Sequence, residues 1–502
     1  MELTELGGRV KDRPYIGRVA ADFGCGYATA DDTSWNLSQV LLATGGRFVA
    51  GSPRARFQAI STDTRTIKVG DLFVALSGEQ YDGQAFVREA VGKGAAGVVV
   101  ATLPDPMPSV PVILVEDTLK ALGDLAAYRR SLMRGLTVLA VTGSSGKTTV
   151  KEMAAAIIGR ERKILKTKGN FNNLVGLPLS LLPVTRQHQV AVLEMGMNRS
   201  GEIARLTEIA DPDIACINNI QEAHLAGFDG MEGVARAKGE LFAGAKAWAK
   251  LVVNIDDKRV RALARRCGQE KITFGCHRQA MVRATYIRNC GPAGMSFTLQ
   301  IGDQKRRVAI KALGRHNVLN SLAAAAMAHA AGLRLPAIVK GLSSFEGSAK
   351  RLQVERLGNG LNVVNDTYNA NPASMQAALE TVSAVAGDGR TVAVLGDMLE
   401  LGKQSVAAHE AVGAAAAGLG YDFLFTVGSF AASTVNGARL QGMGERRARV
   451  FADKEALAAF LRDCLRTGDF GKDDWVLLKG SRGMRMETLL GAFGELGGGK
   501  KL

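Results

Sequence analysis

The stretch that decides the fold is TVLAVTGSSGKTTVKEM, residues 137–153. An apolar run leads into a turn bracketed by glycines, and a second apolar segment with a different period follows. Residues 136–141 read as a strand buried on both faces, the kind found in a parallel sheet. Beyond the turn, Val150, Met153, Ala154, Ile157 and Ile158 recur at helical spacing. Between the two, Gly143 and Gly146 let the backbone turn tightly with its N–H groups facing inward. A helix opening near Lys147 adds the positive end of its dipole. The common phosphate-binding pattern is G-x-x-x-x-G-K-[ST]. Here position 141 is valine and the first glycine stands at 143, so the loop is two residues shorter. Its members are Gly143, Ser144, Ser145, Gly146, Lys147, Thr148 and Thr149. Lys147 suits phosphate oxygens and the Thr148 hydroxyl suits Mg²⁺. A chance G-K-T would not need the strand before it and the helix after it.

Working outward, the apolar run 190–193 ends at Glu194 before Gly196 breaks it. A carboxylate at the end of a buried strand is either solvent-exposed or functional, and metal ligation is the reading favoured here. Strands at 189–196 and 250–257 alternate with helices, which argues for a parallel α/β sheet. Toward the N-terminus, 71–78 and 94–101 read as strands with a short helix between them, before a proline-rich connection at 103–111. A second α/β unit begins near Arg351, with strands in LNVVND, RTVAVLGD, YDFLFTVG and DWVLLKG. The first 33 residues are glycine-rich and aperiodic, and are expected to form a disordered extension.

A chain of 502 residues is too long for one core, and about three domains are expected. Hydrophobic content of 47% and charged content of 22% are ordinary for a globular protein. No apolar run reaches the ~20 residues of a membrane span, and the N-terminus has no signal-peptide pattern. A cytoplasmic location is expected. The net charge of +15 suits anionic ligands. The basic residues are spread out, however, with no arginine-rich tail or aromatic-basic platform, so no nucleic-acid partner is expected. Six cysteines form no C-x-x-C pair. Cys267, Cys276, His277 and Cys290 fit no zinc spacing, and reduced, mostly buried thiols are expected. His224 and Lys238 read, by themselves, as a satisfied histidine and a surface lysine on a helix.

The motifs TGSSGKTTVKEM, TKGNFNNLVGLPLSLL, LEMGMNRSGEIA, NNIQEAHLAGFDG, AKGE, GRHNVLNSLAAAA, NDTYNANPASM, VLGDMLELG and LKGSRGMRMETLL follow one another in this order. Together they resemble the Mur ligases of bacterial peptidoglycan synthesis, whose loop has the shortened form T-G-x-x-G-K-[ST]. The resemblance runs from about residue 35 to 490. It implies an α/β protein of three domains: a UDP-sugar-binding domain (34–116), a central P-loop ATPase domain with a parallel sheet (117–347), and a C-terminal Rossmann-like domain (348–502). It also implies an ATP-dependent ligase that activates a carboxylate as an acyl phosphate. The Y-N-A-N-P stretch fits the member that joins D-alanyl-D-alanine to a UDP-N-acetylmuramoyl-tripeptide. The alternatives are the sister enzyme that adds a diamino acid and, from another class, a nucleic-acid-stimulated P-loop ATPase.

Carried onto this sequence, the resemblance makes Lys147 the phosphate lysine. Thr148, Glu194 and His224 become the metal set, joined by Lys238 as a carbamylated lysine. Asn317 is expected at adenine, Arg351 at phosphate and Asp366 at ribose. Ser61, Asp63, Thr64 and Arg65 are expected to hold the uridine diphosphate sugar, and Asn170, Asn172 and Asn173 the muramoyl peptide. Tyr368, Asn369 and Asn371 fall to the dipeptide and nucleotide region, although Asn371 before Pro372 also reads as a helix cap. ATP and Mg²⁺ are the implied cofactors, and a monomer is expected.

Overall fold

A computed structural model describes residues 33–78, 81–221, 228 and 230–494. Three sheets follow one another along the chain. The first has five strands in the order Arg47–Ala50, Val112–Leu114, Gly97–Val100, Leu72–Val74 and Ile60–Ser61. All its pairings are parallel except the one made by Arg47–Ala50. The stretch 71–78 is not one strand. Leu76 N donates to Val74 O (3.0 Å) and turns the chain, and Ser77–Gly78 then pairs with Tyr81–Asp82 in a separate ribbon.

The central sheet has nine strands. Seven parallel strands run in the order Ile164–Lys166, Val190–Glu194, Thr137–Thr142, Ile214–Ile217, Lys250–Asn254, Glu270–Gly275 and Val282–Asn289. Met295–Ile301 and Gln304–Ile310 then extend it antiparallel, an addition the sequence reading did not anticipate. From Thr137–Thr142 the chain first builds the sheet on one side and then crosses to the other. The crevice beyond the carboxyl end of that strand is therefore a switch point, where open α/β sheets bind ligands.

The C-terminal sheet has six strands: Gln353–Arg356, Asn362–Asp366, Trp475–Lys479, Thr391–Gly396, Phe423–Val427 and Ala448–Phe451. Only the first is antiparallel. The three-domain α/β architecture is thus the expected one. The apolar core is nonetheless continuous between the first two sheets. Trp35, Leu72 and Ile113 join Leu122 and Leu125 of the helix Thr118–Ser131, and through them Ala140 and Leu193. The C-terminal sheet keeps separate clusters, one around Leu379 and Leu477 and one around Phe425 and Leu478.

The expectation of mostly buried thiols needs correction. Of the five cysteines among the described residues, Cys216 and Cys464 are buried, Cys267 and Cys276 are partly buried, and Cys290 is exposed. Cys290 lies in the turn between Val282–Asn289 and the first strand of the antiparallel extension, where it can reach solvent. Among the described residues no helix is long and apolar enough to cross a membrane.

Candidate functional site

The helix Lys147–Ile158 begins directly after Gly146, whose φ of +77° is left-handed. A Cβ at 146 would collide with the Asn320 side chain, so glycine is needed for space as well as for conformation. The loop is fixed from outside its own sequence. Ser145 N donates to Asn219 Oδ1 (2.9 Å), and Ser144 N donates to Asn219 O (3.0 Å). Asn218 Nδ2 donates to both Ser145 O (3.1 Å) and Asn320 Oδ1 (2.9 Å), and Asn320 Nδ2 donates to Asn317 Oδ1 (2.9 Å). Asn317 is buried, and its Nδ2 donates to Leu313 O (2.8 Å). A relay of asparagines thus joins the phosphate loop to the helix Arg315–Ala330. The first-turn N–H groups of the helix after the loop have no intrahelical acceptor, which makes this end suited to an anion.

Five of the expected residues meet here: Thr148, Glu194, Arg351, Asn172 and Tyr368. Thr148 Oγ1 donates to Glu194 Oε2 (2.8 Å) and accepts from Arg351 Nη2 (2.9 Å). Glu194 is 2% exposed, and its other oxygen accepts from Asn172 Nδ2 (2.8 Å). Arg351 also stacks on the Tyr368 ring, 4.1 Å from its centroid. The nucleotide loop, a buried carboxylate and the C-terminal unit are therefore in direct contact. Lys147 Nζ donates back to Gly143 O (2.8 Å). Burial pulls its ammonium below the usual lysine range; Glu194 opposes this and Arg351 adds to it.

Lys238 lies on the helix Gly230–Gly244 and is not a surface lysine: it is 1% exposed. Burial, helped by the nearby charge of Lys147, pushes its ammonium well below the ordinary range. A lysine in that position carries a larger share of neutral amine than an exposed one. His224 lies outside the described residues.

Three segments of the chain match Mur ligase models. Residues 56–130 match the Mur ligase family catalytic domain, 141–328 the Mur ligase middle domain, and 350–482 the Mur ligase glutamate ligase domain. The UDP-N-acetylmuramoyl-tripeptide–D-alanyl-D-alanine ligase of Bacillus subtilis is 37% identical over 433 residues, 86% of this chain and 92% of the relative. The chain belongs to the Mur ligase family. A crystal structure of MurF from Acinetobacter baumannii superposes with a TM-score of 0.85 at 35% identity, covering 92% of this chain and 99% of that one. MurF of Thermotoga maritima, solved in complex with ADP, superposes with a TM-score of 0.77 at 28% identity, covering 87% and 96%.

The remaining expected residues of this Mur ligase lie around that centre or apart from it. Asp366 is tied up: its Oδ2 accepts from the buried Lys479 Nζ (2.6 Å) and its Oδ1 from Leu352 N (3.1 Å). Lys479 Nζ also donates to Asn369 O (3.0 Å). Asn371 acts as the cap its sequence also suggested, accepting from Ser374 N (2.8 Å) at the start of the helix Pro372–Ala386. Asn173 Oδ1 likewise accepts from Gly176 N (2.8 Å), while Asn170 is exposed. Ser61, Asp63, Thr64 and Arg65 form a cluster of their own on the first sheet. Asp63 is forked by Arg65 (2.9 and 2.7 Å), and Lys93 Nζ donates to Thr64 O (3.0 Å).

Two buried lysines carry no role in the sequence reading, although Lys479 opens a stretch that reads as a strand–helix turn. Lys151 is fully buried one turn after Lys147; its Nζ lies 2.9 Å from Glu152 and 4.0 Å from Glu194. Its i,i+4 spacing from Lys147 was the available signal. Lys479 ends an apolar strand just as Glu194 does, and the same rule applied to it would have found it.

Proposed function

We propose that this Mur ligase joins D-alanyl-D-alanine to a UDP-N-acetylmuramoyl-tripeptide, with ATP converted to ADP and phosphate. The observation that carries the reading is the contact chain Glu194–Thr148–Arg351, which ties a nucleotide loop to a second α/β unit able to present another substrate. Relatives that align with most of the chain bear the name of this activity. The tripeptide carboxylate attacks the γ-phosphate, giving an acyl phosphate and ADP. The dipeptide amine then attacks the acyl carbonyl, loses a proton, and inorganic phosphate leaves. A carboxylate is a poor acyl donor, and phosphorylation supplies the leaving group it lacks.

The chain's part is to position the reactants and neutralise charge. Gly143–Thr149 and Lys147 hold the phosphates. Asn317 faces adenine, Asp366 the ribose, and Arg351 the transferring phosphate. Ser61–Arg65, in the unit spanning 34–116, hold the uridine diphosphate sugar. Asn170, Asn172 and Asn173 hold the peptide, and Tyr368, Asn369 and Asn371, in the unit spanning 348–502, hold the dipeptide. Keeping these units closed excludes water from the acyl phosphate.

The donor set suits Mg²⁺. The Thr148 hydroxyl and Glu194 carboxylate are hard oxygen donors in contact with each other. Among the described residues no cage of three or more His, Cys, Asp or Glu exists. That fits an ion held by one or two side chains together with substrate phosphates. Bound there, Mg²⁺ would screen the negative charge of the transferring phosphoryl group. Lys238 would add CO₂ through its neutral amine, releasing a proton and leaving an anionic carbamate beside these cations. On this reading the enzyme is a cytoplasmic monomer.

The test is ADP release and mass analysis of the product, using UDP-N-acetylmuramoyl-tripeptides of both the lysine and the diaminopimelate type. A pentapeptide formed only when D-alanyl-D-alanine is present is the expected result. ADP release driven instead by a diamino acid with the dipeptide precursor would assign the sister activity and overturn this one.

A further inference from the structure

The C-terminal sheet carries a cavity beyond the carboxyl ends of three adjacent strands. The loops after Asp366, Gly396 and Lys479 line it. Ser481 holds these loops together: its Oγ accepts from Leu399 N (2.8 Å) and faces Ala370 O (3.4 Å). Two charged residues belong to the lining, Glu400 and Arg482, and Leu399 and Leu401 supply apolar wall. A small wall of apolar side chains beside a guanidinium matches a carboxylate-bearing ligand with short side chains.

We infer that Arg482 clamps the C-terminal carboxylate of the incoming dipeptide, which makes it a specificity-determining residue. The inference rests on the activity proposed above. Arg482 opens a short turn, Arg482–Met484, directly after Ser481, and its side chain is 56% exposed. It reaches the buried side of the domain through Glu487, with Nη1 2.6 Å from Oε1. Glu487 is also paired with Lys350 (2.9 Å), so its charge stays compensated when Arg482 turns to a ligand. A guanidinium has five N–H donors in a planar fork, and the Glu487 contact uses one of them. The others remain for two parallel bonds to a carboxylate.

Glu487 also links the clamp to the rest of the site. Its partner Lys350 precedes Arg351, the residue bonded to Thr148. Lys350 and Leu352, on either side of Arg351, both have positive φ (60° and 46°). Such backbone persists only where surrounding contacts impose it. Two consecutive residues at the junction of the units thus contact the nucleotide loop, through Arg351, and the clamp's own anchor, through Lys350.

The test compares D-alanyl-D-alanine with D-alanyl-D-alaninamide, which lacks the carboxylate charge. With the unmodified enzyme, the amide should raise KM about 10- to 100-fold, the span of a charge-assisted pair. Arg482→Gln should raise KM for the dipeptide by a similar factor, leave KM for ATP and the tripeptide unchanged, and bring the amide-to-dipeptide ratio near 1. Arg482→Lys should restore part of the discrimination. A merely structural arginine would not move that ratio, so full discrimination retained in Arg482→Gln overturns the clamp. If the unmodified enzyme forms no pentapeptide, the activity itself has failed. Calorimetric binding of the same two ligands to both proteins then reads the clamp directly: equal binding of dipeptide and amide by the unmodified protein refutes it.

Discussion

The loop 143–149 and the loop 61–65 both follow strand ends and both carry hydroxyl and charged residues, yet they are held in opposite ways. The first is fixed by partners far along the chain: Asn218, 73 positions from Ser145, and Asn320, 102 positions from Asn218. The second is fixed mainly by itself, with Asp63 and Arg65 two positions apart and the arginine 85% exposed. The difference is one of preorganisation. Chemistry on a phosphoryl group needs donors already in place, because reorganising them would add to the barrier. A loop that only binds can open a weak exposed pair when its ligand arrives, since such a pair contributes little.

This contrast breaks most sharply at Lys147. Lys147→Ala should lower kcat by about 10³-fold or more, the scale of losing a preorganised electrostatic donor. The helix after the loop should stay folded, since among the described residues the side-chain bond of Lys147 is the one to Gly143 O. Single-turnover ADP formation together with circular dichroism checks both. Undiminished turnover would remove the loop from the chemistry.

Lys238 comes next. Its depressed pKa raises the share of neutral amine near pH 7, and that share grows as pH rises. Depleting CO₂ from the buffer should lower kcat about 10- to 100-fold, bicarbonate should restore it, and Lys238→Arg should abolish the response. Carbon-13 NMR with labelled bicarbonate reads the modification without turnover: no carbamate carbon in the unmodified protein would dismiss it.

The same contrast explains what the sequence disclosed. Residues 138–141 are continuously apolar because both faces of that strand are covered, so the strand and the helix after it could be read directly. Glu194 stood out as a carboxylate ending such a run. The asparagine relay did not. Asn218 and Asn320 look like ordinary polar residues, and their roles exist only because segments distant in the chain meet above Gly146. Lys238 looked like a surface lysine for the same reason: its burial is a tertiary fact. Asn371 could be read both ways, and its helix-capping bond is the part visible in the structure.

A smaller effect is expected at Glu487, which lies between the two extremes at 19% side-chain exposure. Burial would raise its pKa, but the bonds from Lys350 and Arg482 outweigh that and hold it down at about 2, from 4.5. A carboxylate with a lowered folded-state pKa stabilises the fold above its unfolded pKa, and loses that contribution as pH falls through the folded one. Glu487→Gln should therefore cost about 1–3 kcal/mol at pH 7. In urea denaturation its gap to the unmodified protein should close between pH 4.5 and about 2. A gap independent of pH would mean that packing, not charge, holds Glu487 in place.

The smallest effect belongs to Asp63. The side-chain and backbone bonds from Arg65 hold its carboxyl at about 2, below the ordinary 3.8. The sign is that of Glu487: the contribution is present above 3.8 and lost as pH falls through about 2. No titration of this group should appear in substrate binding near neutral pH. Because the pair is exposed, Asp63→Asn should change stability by no more than about 0.5 kcal/mol. Its effect should fall on binding instead. Neutralising Asp63 loosens its hold on the Arg65 fork and removes a negative charge beside it, so KM for the UDP-linked peptide should fall about 2- to 5-fold if Arg65 takes the diphosphate. A rise of the same size would mean that Asp63 itself accepts hydrogen bonds from the nucleotide. A stability loss well beyond 0.5 kcal/mol would show that this loop is a structural element after all, and the distinction between the two loops would dissolve.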